Sequence, residues 1–189
     1  MKLFLIVASM FVFALSASAD SYVTAFGGAN WDNVIKADGV DDSAGYVVGG
    51  AVGTHVKSVP GLRLEGELAF RQNTVKVFKL IDADHDTYTL MANAVYDLPL
   101  EVATMRPYVL AGVGYGKSEA TFTDIALARL EASGVAWQVG AGVNIAITDG
   151  VKAGIGYRYV QAPEINVLGY NLSDGTNSSV QASLTFDLN

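Results

Sequence analysis

Residues 62–71 read LRLEGELAFR. Leu62, Leu64, Gly66, Leu68 and Phe70 take one set of alternating positions, and Arg63, Glu65, Glu67 and Arg71 take the other, with Ala69 among them. Successive side chains of an extended chain point to opposite faces, so this alternation specifies a β-strand with two unlike faces. It does not say which face meets water. In a soluble sheet the charges point out; in a membrane barrel they point in.

Seven further stretches show strand character, at residues 22–29, 45–56, 87–98, 106–116, 135–147, 151–160 and 178–188. Most approach the ~9–11 residues that a tilted strand needs to cross a bilayer. The connections alternate in length. Short turns, KSVPG (57–61), PLEVATM (99–105) and TDG (148–150), follow the second, fourth and sixth strands. Long polar segments, such as WDNVIKADGVDDSA (31–44) and QAPEINVLGYNLSDGTN (161–177), follow the odd-numbered ones. Short turns at one rim and long loops at the other are the layout of an all-β, eight-stranded antiparallel up-and-down transmembrane β-barrel, with both termini on the short-turn, periplasmic side.

The faces of the other strands set the orientation. In residues 135–147, Val135, Trp137, Val139, Ala141, Val143, Ile145 and Ile147 oppose Ala136, Gln138, Gly140, Gly142, Asn144 and Ala146. In residues 151–160, Val151, Ala153, Ile155, Tyr157 and Tyr159 oppose Lys152, Gly154, Gly156 and Arg158. A face of glycine and alanine with an occasional charge is a poor solvent surface, where threonine, lysine and glutamate would be favoured. It suits the lumen of an eight-stranded barrel, which is just wide enough for side chains to fill. The apolar faces then meet lipid. Tyr46, Tyr88, Tyr96, Tyr115, Trp137, Tyr157 and Tyr159 lie on them, where interfacial aromatics are expected.

Export and composition agree with that reading. Lys2, the apolar run from Leu3 to Leu15 and Ala17-Ser18-Ala19 have the order of a secretory signal, with cleavage expected after Ala19. Domain 1–19 is thus a cleaved signal peptide and 20–189 the barrel domain. Loss of Lys2 leaves 11 basic against 19 acidic residues, a net charge of −8, which argues against nucleic acid as a partner. There is no cysteine, hence no disulfide and no lipoprotein anchor. Hydrophobic residues make up 51% of the chain, yet after the signal no segment has the ~20 apolar residues of a spanning helix.

By the fifth to seventh strands a resemblance can be named. PYVLAGVGYG (107–116), MANAVYDL (91–98) and GIGYRYV (154–160) resemble stretches of the bacterial outer-membrane β-barrel family, porin-like or opacity-protein-like and related to the transmembrane domain of outer-membrane protein A. Each motif is short; their order and spacing carry the resemblance over the whole mature chain. It implies residence in the Gram-negative outer membrane, contact with lipid and lipopolysaccharide, and insertion by the barrel-assembly machinery. Family members often end on phenylalanine. Here Phe186 precedes Asp187, Leu188 and Asn189, which leaves either an insertion signal at Phe186 or Leu188 or a weak one. A peptidoglycan-binding domain like that of outer-membrane protein A is not expected after the last strand.

Among candidate sites, Arg63, Glu65, Glu67, Arg71, Asp97, Lys152 and Arg158 share the inward register, with His55 expected beside them. They form either a plug of paired charges or an ion path; the narrow lumen favours the plug. DADHD (82–86) and DGVDD (38–42) are expected as solvated acidic loops. The first lacks the glycine and the final carboxylate of a calcium loop. TDIALARLEAS (123–133) has helical character and is expected as a short surface helix. With His55 and His85 alone, no cysteine and no serine motif, neither catalysis nor a metal or cofactor is expected. The expected role is structural, in envelope integrity, or surface-interactive through four extracellular loops that meet a host or surface ligand. A narrow porin-like channel and a lipid A-modifying enzyme are the alternatives.

Overall fold

The computed structural model describes residues 20–32, 40–42, 45–77, 81–100, 104–122, 129–163, 165–167, 170–173 and 175–188. The signal-like residues 1–19 lie outside them. Eight long strands form the wall: β1 (Ser21–Asp32), β2 (Gly45–His55), β3 (Leu62–Val77), β4 (Ile81–Asp97), β5 (Met105–Phe122), β6 (Arg129–Thr148), β7 (Val151–Gln161) and β8 (Thr176–Leu188). Each pairs antiparallel with its neighbours in sequence, and β8 pairs with β1 from Ser21↔Leu188 to Asp32↔Asn177, which closes the sheet. Closure matters in hydrocarbon, because an open edge would leave a row of unpaired N–H and C=O groups.

Directly opposed residues lead around the wall from Ser21 through Thr54, Leu64, Ala94, Ala111, Val139, Tyr159 and Ser178, and return to β1 at Trp31, ten residues higher. With eight strands, ~3.3 Å rise per residue and ~4.8 Å between strands, a stagger of ten gives a tilt of about 40° and a backbone diameter of about 16 Å. Such a tube is filled by the side chains of its own wall.

The short turns gather at one rim. Gly61 and Gly150 have φ of 84° there, in the left-handed region that glycine enters without strain. The strands run further than the sequence suggests at the other rim. β3 continues from Arg71 to Val77, β5 from Gly116 to Phe122, and β6 starts at Arg129. Cross-strand hydrogen bonding carries these ladders on beyond the apolar alternation that a bilayer demands. Three short strands add to this rim: Val40–Asp42, paired with β3, and Ile165–Val167 with Tyr170–Ser173.

Inward glycines face inward aromatics. A Cβ on Gly53 would overlap the Tyr22 ring, and one on Gly49 would overlap Phe26. A Cβ on Gly142 would come within 2.7 Å of Tyr108 Cζ, and one on Gly156 within 2.5 Å of its hydroxyl. The outward Gly27, by contrast, would make only ordinary contacts, at 3.5 and 3.8 Å. Gly53→Ala should therefore lower the temperature at which the barrel loses its compact gel mobility, by an overpacking cost of about 1–3 kcal/mol. Gly27→Ala should leave that temperature nearly unchanged. Truncating Tyr22 to alanine should remove most of the Gly53→Ala penalty in a double-mutant cycle.

Candidate functional site: the charged lumen

Strand alternation brings the inward side chains of all eight strands into one column, and its polar groups fall into layers. The lowest layer lies at the short-turn rim. Arg63 on β3 grips Asp97 on β4 side-on, through Nε to Oδ2 at 3.0 Å and Nη2 to Oδ1 at 2.8 Å. Its third nitrogen, Nη1, donates to Glu65 Oε1 at 3.2 Å and to the Tyr22 hydroxyl at 3.1 Å, while that hydroxyl donates to Glu65 at 2.7 Å. The guanidinium carbon lies 5.4 Å from the Tyr22 ring centroid and 6.0 Å from that of Tyr108, so aromatic faces take up the charge that carboxylates leave uncovered. On the opposite wall Lys152 Nζ lies 3.1 Å from both Asp187 oxygens. His55 opposes Arg63 across β2 and β3, its Nδ1 3.1 Å from the Asp20 carbonyl oxygen and its ring 5.3 Å from that of Tyr22.

The second layer lies four residues further along β3 than Arg63. Glu67, 0% exposed, pairs with Arg158 from β7. It also accepts from Asn93 Nδ2 at 2.9 Å and Gln138 Nε2 at 3.2 Å, and Gln138 Nε2 donates to Asn93 Oδ1 at 2.8 Å. Arg158 stacks 5.1 Å from the Phe26 ring centroid. One buried carboxylate is thus held by three strands besides its own. Above it Met91, Ala136 and Val160 form an apolar collar.

The third layer holds Arg71, 0% exposed, whose Nη1 donates to Thr89 at 3.0 Å. Across the lumen Asn177 Oδ1 accepts from Asn30 at 2.8 Å and from Asn73 at 3.1 Å. Among the described residues lie two small cavities, the first between the lower two layers and the second within the lowest layer at the short-turn rim. One of about 30 Å³ touches Arg63, Glu65, Tyr108 and Arg158; one of about 40 Å³ touches Tyr22, His55, Arg106 and Lys152. Each has room for a few water molecules.

The outer face is apolar. Val135 is 75% exposed, and Val113, Ile155, Ile147 and Leu64 are also exposed. Read through the stagger, Trp31, Tyr46, Phe70, Tyr88, Tyr115, Trp137 and Tyr159 fall at nearly one height, one from each of the first seven strands. Neighbours in this band touch: Tyr46–Phe70 at 6.0 Å, Phe70–Tyr88 at 4.9 Å and Trp137–Tyr159 at 5.6 Å between centroids. Tyr157 sits just below the band and donates to Ser178 on β8, which has no aromatic there. Tyr96 lies near the other rim, about 20 Å lower by the strand rise and tilt.

Two local expectations are corrected. DADHD is not a loop: residues 82–86 belong to β4 and pair with β3 and β5, as in Asp86↔Gln72 and Asp86↔Glu119. In DGVDD, Val40–Asp42 is a strand, and Asp38 and Gly39 lie outside the described residues. The helix expected at 123–133 is contradicted where it is described, because Arg129–Ser133 pairs with Lys117–Thr121 as strand. Residues 123–128 lie outside the described residues. In all three segments, pairing with a neighbouring strand overrides the local pattern.

Sequence reasoning missed Tyr22, Tyr108, Asn93, Gln138 and Asp187 as lumen partners. A signal for the aromatics exists: Tyr22 and Phe26 sit directly opposite Gly53 and Gly49 once β1 and β2 are paired. Nothing local marks the amides, whose role depends on a glutamate on another strand, the adjacent one for Asn93 and the third along for Gln138.

Residues 3–186 match the family model described as the outer membrane protein beta-barrel domain. No curated protein matches the chain. Among solved structures, Neisserial surface protein A is similar at 18% identity with a TM-score of 0.65, covering 88% of this chain and 96% of that one. Ail, the attachment invasion locus protein of Yersinia pestis, is similar at 17% identity with a TM-score of 0.52, covering 88% and 96%. At these identities the likeness shows the fold.

Glu67→Ala leaves the Arg158 charge without its carboxylate and should cost about 3–5 kcal/mol. Leu68→Val, one position along on the outer face, should cost far less. Thermal gel-shift midpoints of the two variants in detergent check this, and equal shifts would contradict the inward register.

Proposed function

The chain belongs to the outer membrane protein β-barrel family, and we propose that it acts there as a closed structural and surface-presenting barrel rather than as a channel or an enzyme. The observation that carries this reading is the filling of the lumen. The Glu67–Arg158 pair, its amides and the apolar collar above it occupy the middle of a tube about 16 Å wide at the backbone. The cavities described below them, of about 30 and 40 Å³, have room for isolated waters rather than for a hydrated ion path. In this role Arg63, Glu65, Glu67, Arg71, Asp97, Lys152 and Arg158 brace the wall from inside. A purely apolar filling of the same volume would be no less stable; buried ion pairs add specificity of register, because each must meet one partner.

The aromatic band marks the outer bilayer interface, and Tyr96 the inner one. The paired strands above the band carry the loops, through which lipopolysaccharide and a host or surface ligand are met. Phe186 and Leu188 both point outward on β8, where the barrel-assembly machinery would read them. A non-enzymatic role agrees with the placement of the histidines: His55 lies at the short-turn rim and His85 in the opposite half of the lumen, so they do not share a site.

Purified barrel, shown to be folded by its gel shift on boiling, should give no single-channel steps in a planar bilayer. Loss of the protein should sensitise its host to detergent without changing the mass of its lipid A. Regular conductance steps would replace this reading with the narrow channel, and an altered lipid A mass with the enzyme.

A further inference from the structure

At the long-loop rim the lumen is filled by more than its wall. The β7 ladder ends at Gln161, which pairs with Trp137 on β6 and with Thr176 on β8. Pro163 has no N–H to extend that ladder, and the chain turns to the lumen side of the wall. Gly116 and Gly134 oppose each other on β5 and β6, both in the inward register. Pro163 occupies the space that their missing side chains leave. A Cβ on Gly116 would come within 2.9 Å of Pro163 Cδ, and one on Gly134 would lie 3.7 Å from its Cγ and 3.9 Å from its Cβ. The proline ring is a knob in a glycine socket.

The segment that carries the knob is tied at its two ends. Ala162 N–H donates to the Gly175 carbonyl at 2.7 Å, and the Thr176 hydroxyl donates to the Gln161 side chain at 3.0 Å. Gly175 has φ of 69°, and a Cβ there would come within 2.1 Å of the Ala162 oxygen, so the ends are pressed together. Between them, Ile165–Val167 and Tyr170–Ser173 pair with each other and, among the described residues, with no wall strand. A swing of this segment would leave the ladder of the barrel intact.

The socket stands beside a polar layer with unmet hydrogen bonds. Gly116 opposes Thr89 on β4, which accepts from Arg71, and two residues further along β5 Ser118 opposes Thr87. The Thr87 and Ser118 hydroxyls, Asn30 Oδ1, Asn177 Nδ2, and Arg71 Nε and Nη2 are buried without a hydrogen-bond partner among the described residues. Such atoms are costly to keep dry, and water relieves the cost wherever it can enter. Two effects thus oppose each other at this rim. The seated ring and the Ala162–Gly175 bond shut the lumen, while the polar layer favours letting water in.

We propose that Ala162–Pro163 is a latch on the long-loop mouth of the lumen. Seated, it keeps the layer around Arg71 dry. Lifted, it admits water and small polar solutes to that layer, as far as the collar of Met91, Ala136 and Val160. The collar and the Glu67–Arg158 layer stay shut in both states, so the latch opens a vestibule and not a channel. Its failure would leave the closed role of the barrel standing, because conductance tests that role and access tests the latch.

The chain has no cysteine, so one introduced thiol reports access. Thr87→Cys in the full barrel, folded in detergent and checked by gel mobility, is treated with 2-hydroxyethyl methanethiosulfonate. Gly116→Ala, whose methyl displaces the ring, and Pro163→Gly, which removes it, should each raise the labelling rate about tenfold or more. A thiol in the collar, from Met91→Cys, should label slowly in all these backgrounds. The latch can also be locked, because the 3.9 Å between a Cβ at position 134 and Pro163 Cβ lies within the ~3.5–4.5 Å span of a disulfide. In Thr87→Cys with Gly134→Cys and Pro163→Cys, peptide mass spectrometry should find position 87 labelled about tenfold more slowly with the 134–163 bridge closed than after its reduction. Rates at position 87 that ignore Gly116→Ala and Pro163→Gly, a bridge that does not form on oxidation, a closed bridge that does not slow labelling, or a collar thiol that labels in step with position 87 would each overturn the proposal.

Discussion

Everything in this molecule depends on the seam between β1 and β8. Hydrocarbon offers no hydrogen bonds, so every peptide group that crosses it must find its partner within the sheet. The first and last wall strands meet over twelve opposed residues, and only that meeting completes the set. Closure also fixes the stagger at ten, hence the tilt, the diameter and the volume inside. The lumen residues are choices made within a tube whose size the backbone has already determined.

Filling that tube is a packing problem before it is an electrostatic one. Among the bulky inward residues are Tyr22, Phe26, Tyr108 and the arginines, and neighbouring strands offer Gly53, Gly49, Gly142 and Gly156 to receive the aromatics. The aromatics then serve the charges. Tyr22 shares its hydroxyl between Arg63 and Glu65, and Phe26 lies against Arg158. Glycine, aromatic and ion pair thus form a chain of dependence across the lumen.

Much of the fold was legible because a lipid-facing strand must alternate strictly. Residues 62–71 and 135–147 announce both faces, and the short turns announce one rim. Legibility stopped where lipid stops. Above the aromatic band the outer face is free to be polar, so DADHD and the segment from Arg129 lose their alternation and resemble loop and helix while pairing as strand. The charged lumen residues were visible as breaks in apolar periodicity. Their partners were not, because Asn93 and Gln138 reach Glu67 through a register that is settled only when all eight strands are in place.

The ladders above the band act as a stalk. β3 and β4 stay paired from Phe70↔Tyr88 to Val77↔Ile81, seven residues, which at ~3.3 Å per residue and a tilt of about 40° is a climb of roughly 17 Å. The headgroup layer on one side of a bilayer is only ~5–7 Å deep. With the aromatic band at the outer interface, as proposed above, the top of the β3–β4 ladder stands about 10 Å clear of the headgroups on a stiff, hydrogen-bonded ribbon. In the proposed placement, sequence change beyond the ladder is mechanically insulated from the membrane-embedded wall, so an outward-facing surface could diversify while the part that must satisfy lipid stays the same.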